Sequence, residues 1–439
     1  MGFYRYNIRH IAVNLLGSAL PILIILITVP LYLHAIGAEK YGALSLVWIV
    51  FGYFGILDFG ISRSVTTAIS RADGRQAKAD IIWSAAALNT GWGALIAIVG
   101  GGAFFLYARY SSSPMVAEVA TALPWMMLGI PVLMITSTLN GALDGEERFK
   151  MANSLQLVGS ILYQLVPLFT AYYVSDHLPD LIIAVILCRL VLLTLYCIVV
   201  GRLFNLAALF SVSKSTMISL LKFGSSIAAV NILDPIFTRI DQVIIARFAG
   251  ASDVAAYSIA VNSIGRLGIL PMAMSRSIFP KLSTGTADDH REALFSSKSK
   301  IIWIWFGICG AAIVASDLVY YLWLRDPIYV EVSAVAKIYA VGLWANCLGI
   351  LPYTALQAWG RSTTILKVHL LEMPFYLVAL VLLTYHYGTL GAAIAYGLRS
   401  YADYIILWKM CGYPVRRQGM FTILLIALSV LAFAMHQFV

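Results

Sequence analysis

The stretch 37–70 recurs as 250–283, and no other property of the sequence constrains the fold as strongly. At a constant shift of 213 positions the copies share 12 identities in 34 ungapped positions, among them Gly37/Gly250, Ala43/Ala256, Ser45/Ser258, Gly52/Gly265 and Arg63/Arg276. Soluble repeats have periods of roughly 20–50 residues. A half-chain duplication in an apolar sequence is instead the plan of secondary transporters, whose substrate site lies between the halves. An even number of hydrophobic segments, six, separates the copies. The repeat is therefore parallel, related by an axis along the membrane normal.

Of the 439 residues, 61% are hydrophobic and 12% charged, too little polar surface for a soluble protein of this length. A membrane span needs about 20 mostly apolar residues. That window finds thirteen, over 8–36, 41–68, 81–107, 121–143, 151–173, 181–200, 219–246, 255–280, 299–322, 334–358, 364–385, 389–408 and 420–438. The expected fold class is thus an all-α integral membrane protein: two parallel-repeat six-helix bundles plus a thirteenth transmembrane helix. The expected domains are an N-terminal bundle over 1–200, a cytoplasmic linker over 201–218, a C-terminal bundle over 219–410 and the additional helix within 411–439.

With the N-terminus in the cytoplasm, eighteen Lys and Arg fall in inner connections, and only Lys40, Arg109, Arg247 and Arg325 in outer ones. The net charge of +9 then reflects topology and contact with anionic membrane lipids, not nucleic acid. The first apolar run is longer than the roughly 7–15 residues of a signal-peptide core and reads as a retained anchor. Five cysteines without CxxC spacing read as small hydrophobes, with no disulfide or metal site. Gly100-Gly101-Gly102 has no following Lys-Ser/Thr and reads as helix packing. The outer connections are short for an active site, and no HExxH, GxSxG or clustered acidic motif is present. No catalytic residue is expected, and the chain reads as a mover of substrate rather than an enzyme.

The residues themselves then suggest a family. Asn14-Leu-Leu-Gly17, Pro21, Pro30, Ile36-Gly-Ala-Glu-Lys-Tyr-Gly42 and Phe51-Gly-Tyr-Phe-Gly-Ile-Leu-Asp58-Phe-Gly60-Ile-Ser-Arg63 resemble the N-terminal signature of bacterial polysaccharide flippases. Leu139-Asn-Gly-Ala-Leu-Asp-Gly145, Leu356-Gln-Ala-Trp-Gly360-Arg361 and Tyr387-Gly-Thr-Leu-Gly391 are similar to later motifs of that family. It belongs to the multidrug/oligosaccharidyl-lipid/polysaccharide exporter superfamily. The resemblance implies two bundles around a cavity that alternates its opening and a multi-pass location in the bacterial cytoplasmic membrane. It also implies transport of an undecaprenyl-pyrophosphate-linked oligosaccharide, O-antigen, capsule or exopolysaccharide, from the inner to the outer leaflet. Polysaccharide polymerase machinery is an expected partner, and no cofactor is expected beyond coupling to H+ or Na+. A drug or metabolite antiporter of the same superfamily, or a membrane enzyme of polysaccharide assembly, are the alternatives.

Charges that a bilayer rejects mark candidate sites, because one at mid-membrane costs at least ~2.5–3.5 kcal/mol. Depth along the spans places Arg189, Asp234, Arg266, Glu372 and Arg399 nearest the middle, whereas Lys222, Lys337 and Asp317 fall near ends and read as snorkelling groups. Asn231, Asp234, Thr238 and Asp241 form one polar stripe in span seven, and Asn262, Arg266 and Arg276 share an arc in span eight with a kink at Pro271. The substrate-cavity candidates are Arg266, Arg189, Arg399, Arg239, Asn262 and Asn231, guanidinium being suited to phosphate or carboxylate. The coupling or gating candidates are Asp58, Arg63, Asp234, Asp241, Arg276, Glu372, His369 and Asp403. Arg399 and Asp403 stand at i and i+4, the spacing of a local salt bridge. His369 and Glu372 stand at i and i+3 as a titratable pair. Trp48, Tyr53 and Phe54 are aromatic surfaces in span two that either stack on sugar or pack in the core.

Overall fold

The computed structural model describes residues 24–48, 51, 60–111, 114–269, 271, 272, 275, 282, 287–359, 361–412 and 419–437. Among them there is no β-strand. The helices are α1 (24–48), α2 (Ile61–Arg71), α3 (Arg75–Tyr110), α4 (Pro114–Thr121), α5 (Leu123–Gly145), α6 (Phe149–Tyr173), α7 (Leu178–Phe204) and α8 (Lys214–Phe248). After these come α9 (Ala251–Gly265), α10 (Ala287–Leu324), α11 (Tyr329–Ala358), α12 (Ser362–Met410) and α13 (Gly419–Gln437). Seven of them, α3, α5, α6, α7, α10, α11 and α12, are long and apolar enough to cross a membrane. Backbone hydrogen bonds closed within each helix are what allows such segments to enter hydrocarbon.

The duplication read from sequence is visible in the backbone. Gly37 interrupts α1 at φ +76°, and its repeat partner Gly250 caps the start of α9 at φ +118°, both in the left-handed region that L side chains rarely adopt. The chain reverses between spans at these points, so the shared glycines mark equivalent turns. Further along, Ala43 and Ala256 are both buried, as are Ser45 and Ser258. Gly388, at φ +57°, breaks α12 into two spans in the same manner.

The chain divides into two compact units, Met1–Thr238 and Arg239–Val439. The division falls within α8, not in the connection before it. Contacts of that connection explain why: Ser211 and Thr216 donate to the carboxylate of Asp80 at 2.9 and 2.7 Å, the Ser213 amide donates to Ser84 Oγ, and Trp83 Nε1 donates to the Leu206 carbonyl. The linker and the start of α8 are thereby fastened to α3.

In the first unit α5 is the central helix, packed against α2, α3 and α7. Its glycines make this approach possible: a Cβ on Gly145 falls 2.6 Å from the Thr66 carbonyl, and one on Gly141 overlaps the Ser62 carbonyl. Thr66 Oγ1 uses the opening to donate to the Gly141 carbonyl at 3.0 Å. Lys40 and Asp176 pair at 2.8 Å at the end of this unit, where the ammonium holds the Asp176 carboxyl below its usual range. So exposed a pair contributes little to stability.

In the second unit α11 takes the central place, packed against α9, α10, α12 and α13. Its apolar window is 78% buried, and that of α5 is 56%, against 17–39% in the other spans. As spans four and ten, α5 and α11 are equivalent under the parallel repeat. The thirteenth helix is an integral part of this unit. Phe421 of α13 stacks on Trp344 at 4.6 Å and on Tyr404 at 3.8 Å, and Lys337 Nζ donates to the Met435 carbonyl at 3.0 Å.

The expectation that Lys337 snorkels is corrected by that contact. Lys337 is 1% exposed and forms a 2.7 Å ion pair with Asp317, to which Ser333 also hydrogen-bonds. An internal partner and a helix C-terminus offer its charge a closer site than the interface does.

Candidate functional site

Two clusters of polar groups lie inside the units at depths where a bilayer offers no water. In the second unit, His369 and Glu372 lie one turn apart on the first limb of α12, and Asp403 faces them from the second. The break at Gly388 folds the two limbs together and brings residues 31 apart in sequence into one cluster. One ligand-type atom from each lies within 4.8 Å of the others. Counting 1.5 Å per residue from Ser362 and Met410, the cluster sits about 10–15 Å from that end of the bundle.

Within the cluster His369 Nε2 lies 3.5 Å from Asp403 Oδ1, and its ring lies parallel to Tyr353 of α11 with centroids 6.3 Å apart. Gly349 of α11 leaves room for the Asp403 carboxylate, whose Oδ2 is 3.8 Å from where a Cβ would stand. Glu372 is 8% exposed, and neither of its carboxylate oxygens has a hydrogen-bond partner among the described residues. The charges acting on it are His369 and Arg399, which are positive or can become so, and Asp403, which is negative. Arg399 also lies over the Tyr376 ring at 5.3 Å.

Charge accounting defines what this arrangement can do. Two carboxylates and one guanidinium leave one negative charge while His369 is neutral, in a place where an unpartnered carboxylate costs on the order of several kcal/mol. One proton or one monovalent cation neutralises the cluster. The spacing at i and i+3 was legible in sequence; the pairing of Asp403 with His369 was not, since it depends on how the two limbs of α12 fold together.

The first unit holds the second cluster. Arg189 stands eleven residues into α7, roughly 16 Å from its start and so near the middle of a hydrocarbon core of about 30 Å. Its guanidinium lies 4.3 Å over the Tyr163 ring, and Trp48 approaches the same ring at 5.8 Å. Tyr32 and Tyr41 close the aromatic group around Trp48. Tyr32 Oη donates to the Gln164 carbonyl at 2.7 Å, which holds α6 against α1. Arg189 Nε and Trp48 Nε1 are shielded from solvent and have no hydrogen-bond partner among the described residues. A buried donor left unmade costs about 1–3 kcal/mol.

The other sequence candidates are distributed differently. Asp241 is buried and accepts from Tyr257 Oη at 2.6 Å and from the Gln242 amide at 2.8 Å, while Ser258 donates to Gln242 at 2.9 Å. These bonds zip α8 to α9. Asn262 is half-buried, and Arg266 is exposed at the opening of a 3-10 turn, Arg266–Gly268, that tightens α9 ahead of Pro271. Arg63 is exposed on α2. Asp58, Arg276, Tyr53 and Phe54 lie outside the described residues. So do the side chains of Asn231, Asp234 and Arg239, whose backbone belongs to α8. Sequence reasoning gave no signal that Trp48 and Arg189 share a ring, because the ring, Tyr163, stands on α6, a third helix.

Comparison with known proteins places this architecture. A protein of Shigella flexneri described as an O-antigen transporter is 26% identical over 416 residues, covering 92% of this chain and 98% of the relative. A Yersinia pseudotuberculosis protein described as an O-antigen export protein is 23% identical over 357 residues, covering 74% of this chain and 75% of its own length. Among solved structures, an inward-facing multidrug resistance MATE family transporter of the MOP superfamily superposes with a TM-score of 0.73 at 17% identity, covering 95% of this chain and 98% of that one. The lipid II flippase MurJ does so with a TM-score of 0.73 at 12% identity and 96% coverage of both. The family model for polysaccharide biosynthesis proteins matches residues 8–286, more than half the chain. The chain belongs to the polysaccharide biosynthesis protein family.

Proposed function

We propose that the protein is a flippase that carries an undecaprenyl-pyrophosphate-linked oligosaccharide repeat unit from the inner to the outer leaflet of the bacterial cytoplasmic membrane. The observation that carries this reading is the family match together with near full-length similarity to an O-antigen transporter. It works by alternating access, without bond chemistry of its own, and hands its product to the polymerising machinery outside. A strain lacking the gene and any redundant exporter is expected to lose surface polysaccharide while lipid-linked repeat units accumulate on the cytoplasmic leaflet. Normal surface polymer in that strain defeats the reading.

Coupling is assigned to a proton held by Glu372, Asp403 and His369, faced by Arg399, Tyr353 and Tyr376. The support is the single uncompensated negative charge of that cluster, which one proton neutralises, and the three proton-accepting side chains that meet there. Transport in proteoliposomes that follows a pH gradient fits this assignment; transport that follows a sodium gradient alone refutes it.

The N-terminus is assigned to the cytoplasm on the distribution of Lys and Arg. In a background where the exposed Cys197 is replaced by serine, His177→Cys is expected to react with an impermeant thiol reagent in intact cells, and Asp73→Cys is not. The reverse pattern inverts the orientation.

A further inference from the structure

The membrane span α6 has two open faces of opposite chemistry. Met151, Val158, Leu165 and Phe169 are exposed on one side, an apolar row suited to lipid. Past the first turn, the opposite side carries Asn153, Gln156, Ser160 and Gln164, the first two exposed and the others half-buried. At 3.6 residues per turn these four fall within an arc of about 80° and run about 16 Å along the helix. Hydrocarbon offers side-chain amides no partner, so a row of them in a span fronts water or substrate.

Neighbouring helices brace this row. Gln156 Nε2 donates to Asn140 Oδ1 at 3.1 Å, Tyr196 Oη donates to the same oxygen at 3.0 Å, and Asn140 Nδ2 donates to Asp144 Oδ2 at 3.2 Å. Asn140 and Asp144 belong to the motif Leu139–Gly145 on α5, and Tyr196 to α7. With one N–H engaged, the Gln156 amide keeps an oxygen and a second N–H for another molecule. The side chains of Asn153 and Gln164 make no hydrogen bond among the described residues. In this network the only charge is the Asp144 carboxylate, which repels anions and accepts from hydroxyls. Amides that both donate and accept match a sugar hydroxyl, which does the same.

We propose that Asn153, Gln156 and Gln164, braced by Asn140, Asp144 and Tyr196, form a track for neutral hydroxylated sugar rings. The source of the sugar rests on the flippase reading: the uncharged rings of the repeat unit. Asn153 and Gln156 contact the hydroxyls, and Asn140 is the positioning residue that fixes the Gln156 amide.

The purified full chain is titrated in micelles, by saturation-transfer NMR, with methyl glucoside, methyl galactoside, methyl N-acetylglucosaminide and a fully O-methylated glucoside. At least one hydroxylated probe is expected to bind, and the fully methylated one is not. Asn153→Ala and Gln156→Ala are each expected to weaken that binding about fivefold, the loss that follows from one neutral hydrogen bond, and the double variant more. Met151→Ala, on the apolar face, leaves it unchanged. Asn153 has no hydrogen bond of its own to lose, so Asn153→Ala is expected to unfold at the parent's temperature, which separates recognition from packing. With Cys197 replaced by serine, Asn153→Cys and Gln156→Cys are expected to react with a hydrophilic thiol reagent, and Val158→Cys is not. The track is refuted if no hydroxylated probe binds, if the methylated one binds equally, if the double variant binds as the parent does, or if neither cysteine reacts. Surface polysaccharide is measured separately in the deletion strain. Sugar binding through Asn153 and Gln156 by a protein that the polymer does not need removes the flippase reading and leaves the track. Loss of polymer without sugar binding does the reverse.

Discussion

Glu372→Gln is expected to reduce polysaccharide export to the level of a strain without the protein, while the variant accumulates in the membrane normally and unfolds at the same temperature or a higher one. The reasoning starts from the carboxylate itself. Glu372 is buried, and neither oxygen has a hydrogen-bond partner among the described residues, so its ionised form is held at a cost that no contact of its own repays. Glutamine has nearly the same shape without the charge. Removing an uncompensated buried charge commonly stabilises a fold, here by about 1 kcal/mol or more. A structural ion pair behaves in the opposite way, since losing one partner strands the other. The stability measurement therefore separates the two roles before transport is assayed. His369→Gln is expected to lower export without abolishing it, because both carboxylates remain to hold the proton. Wild-type export by Glu372→Gln sinks the coupling assignment.

The sequence made the frame of this protein legible for a physical reason. Spans, their number and the repeat are written in local apolar runs and in glycines such as Gly37 and Gly250, whose positive φ no other residue adopts cheaply. The identity of the central helices was also implicit, since α5 and α11 hold the same rank in the two halves. Polar partners were less legible. Asp241 read as one member of a stripe on its own helix, and the structure adds its bond to Tyr257 on the next; the spacing of Arg399 and Asp403 gave no sign that Asp403 also faces His369. Helical spacing reports which residues share a face, but the neighbour across that face is a tertiary fact. Trp48 and Arg189 are the extreme case, as both lie against one ring, Tyr163, on a third helix.

Lys337→Met is expected to destabilise the protein by about 3 kcal/mol, the lower end of the range for breaking a buried pair, and to loosen the thirteenth helix. Two contacts converge on this ammonium, the Asp317 carboxylate at 2.7 Å and the Met435 carbonyl at 3.0 Å, and Asp317 accepts in addition from the hydroxyl of Ser333. Met435 lies in the last turn of α13, whose final carbonyls have no partner within the helix and carry the negative end of its dipole. Lys337 thus ties α10 and α11 to the end of α13. The lower end of the range applies because Asp317 keeps 25% of its side chain exposed and water relieves part of its charge once the lysine is gone. Asp317→Asn alone is expected to cost more, since Lys337 is 1% exposed and has no comparable relief. Combining Lys337→Met with Asp317→Asn removes both charges, so the double variant is expected to be more stable than Asp317→Asn. Thermal unfolding of the three variants, with limited proteolysis near residue 412 as the readout for α13, measures these differences. A Lys337→Met protein as stable and as protease-resistant as the parent shows that stacking of Phe421 on Trp344 and Tyr404 holds the helix without the lysine.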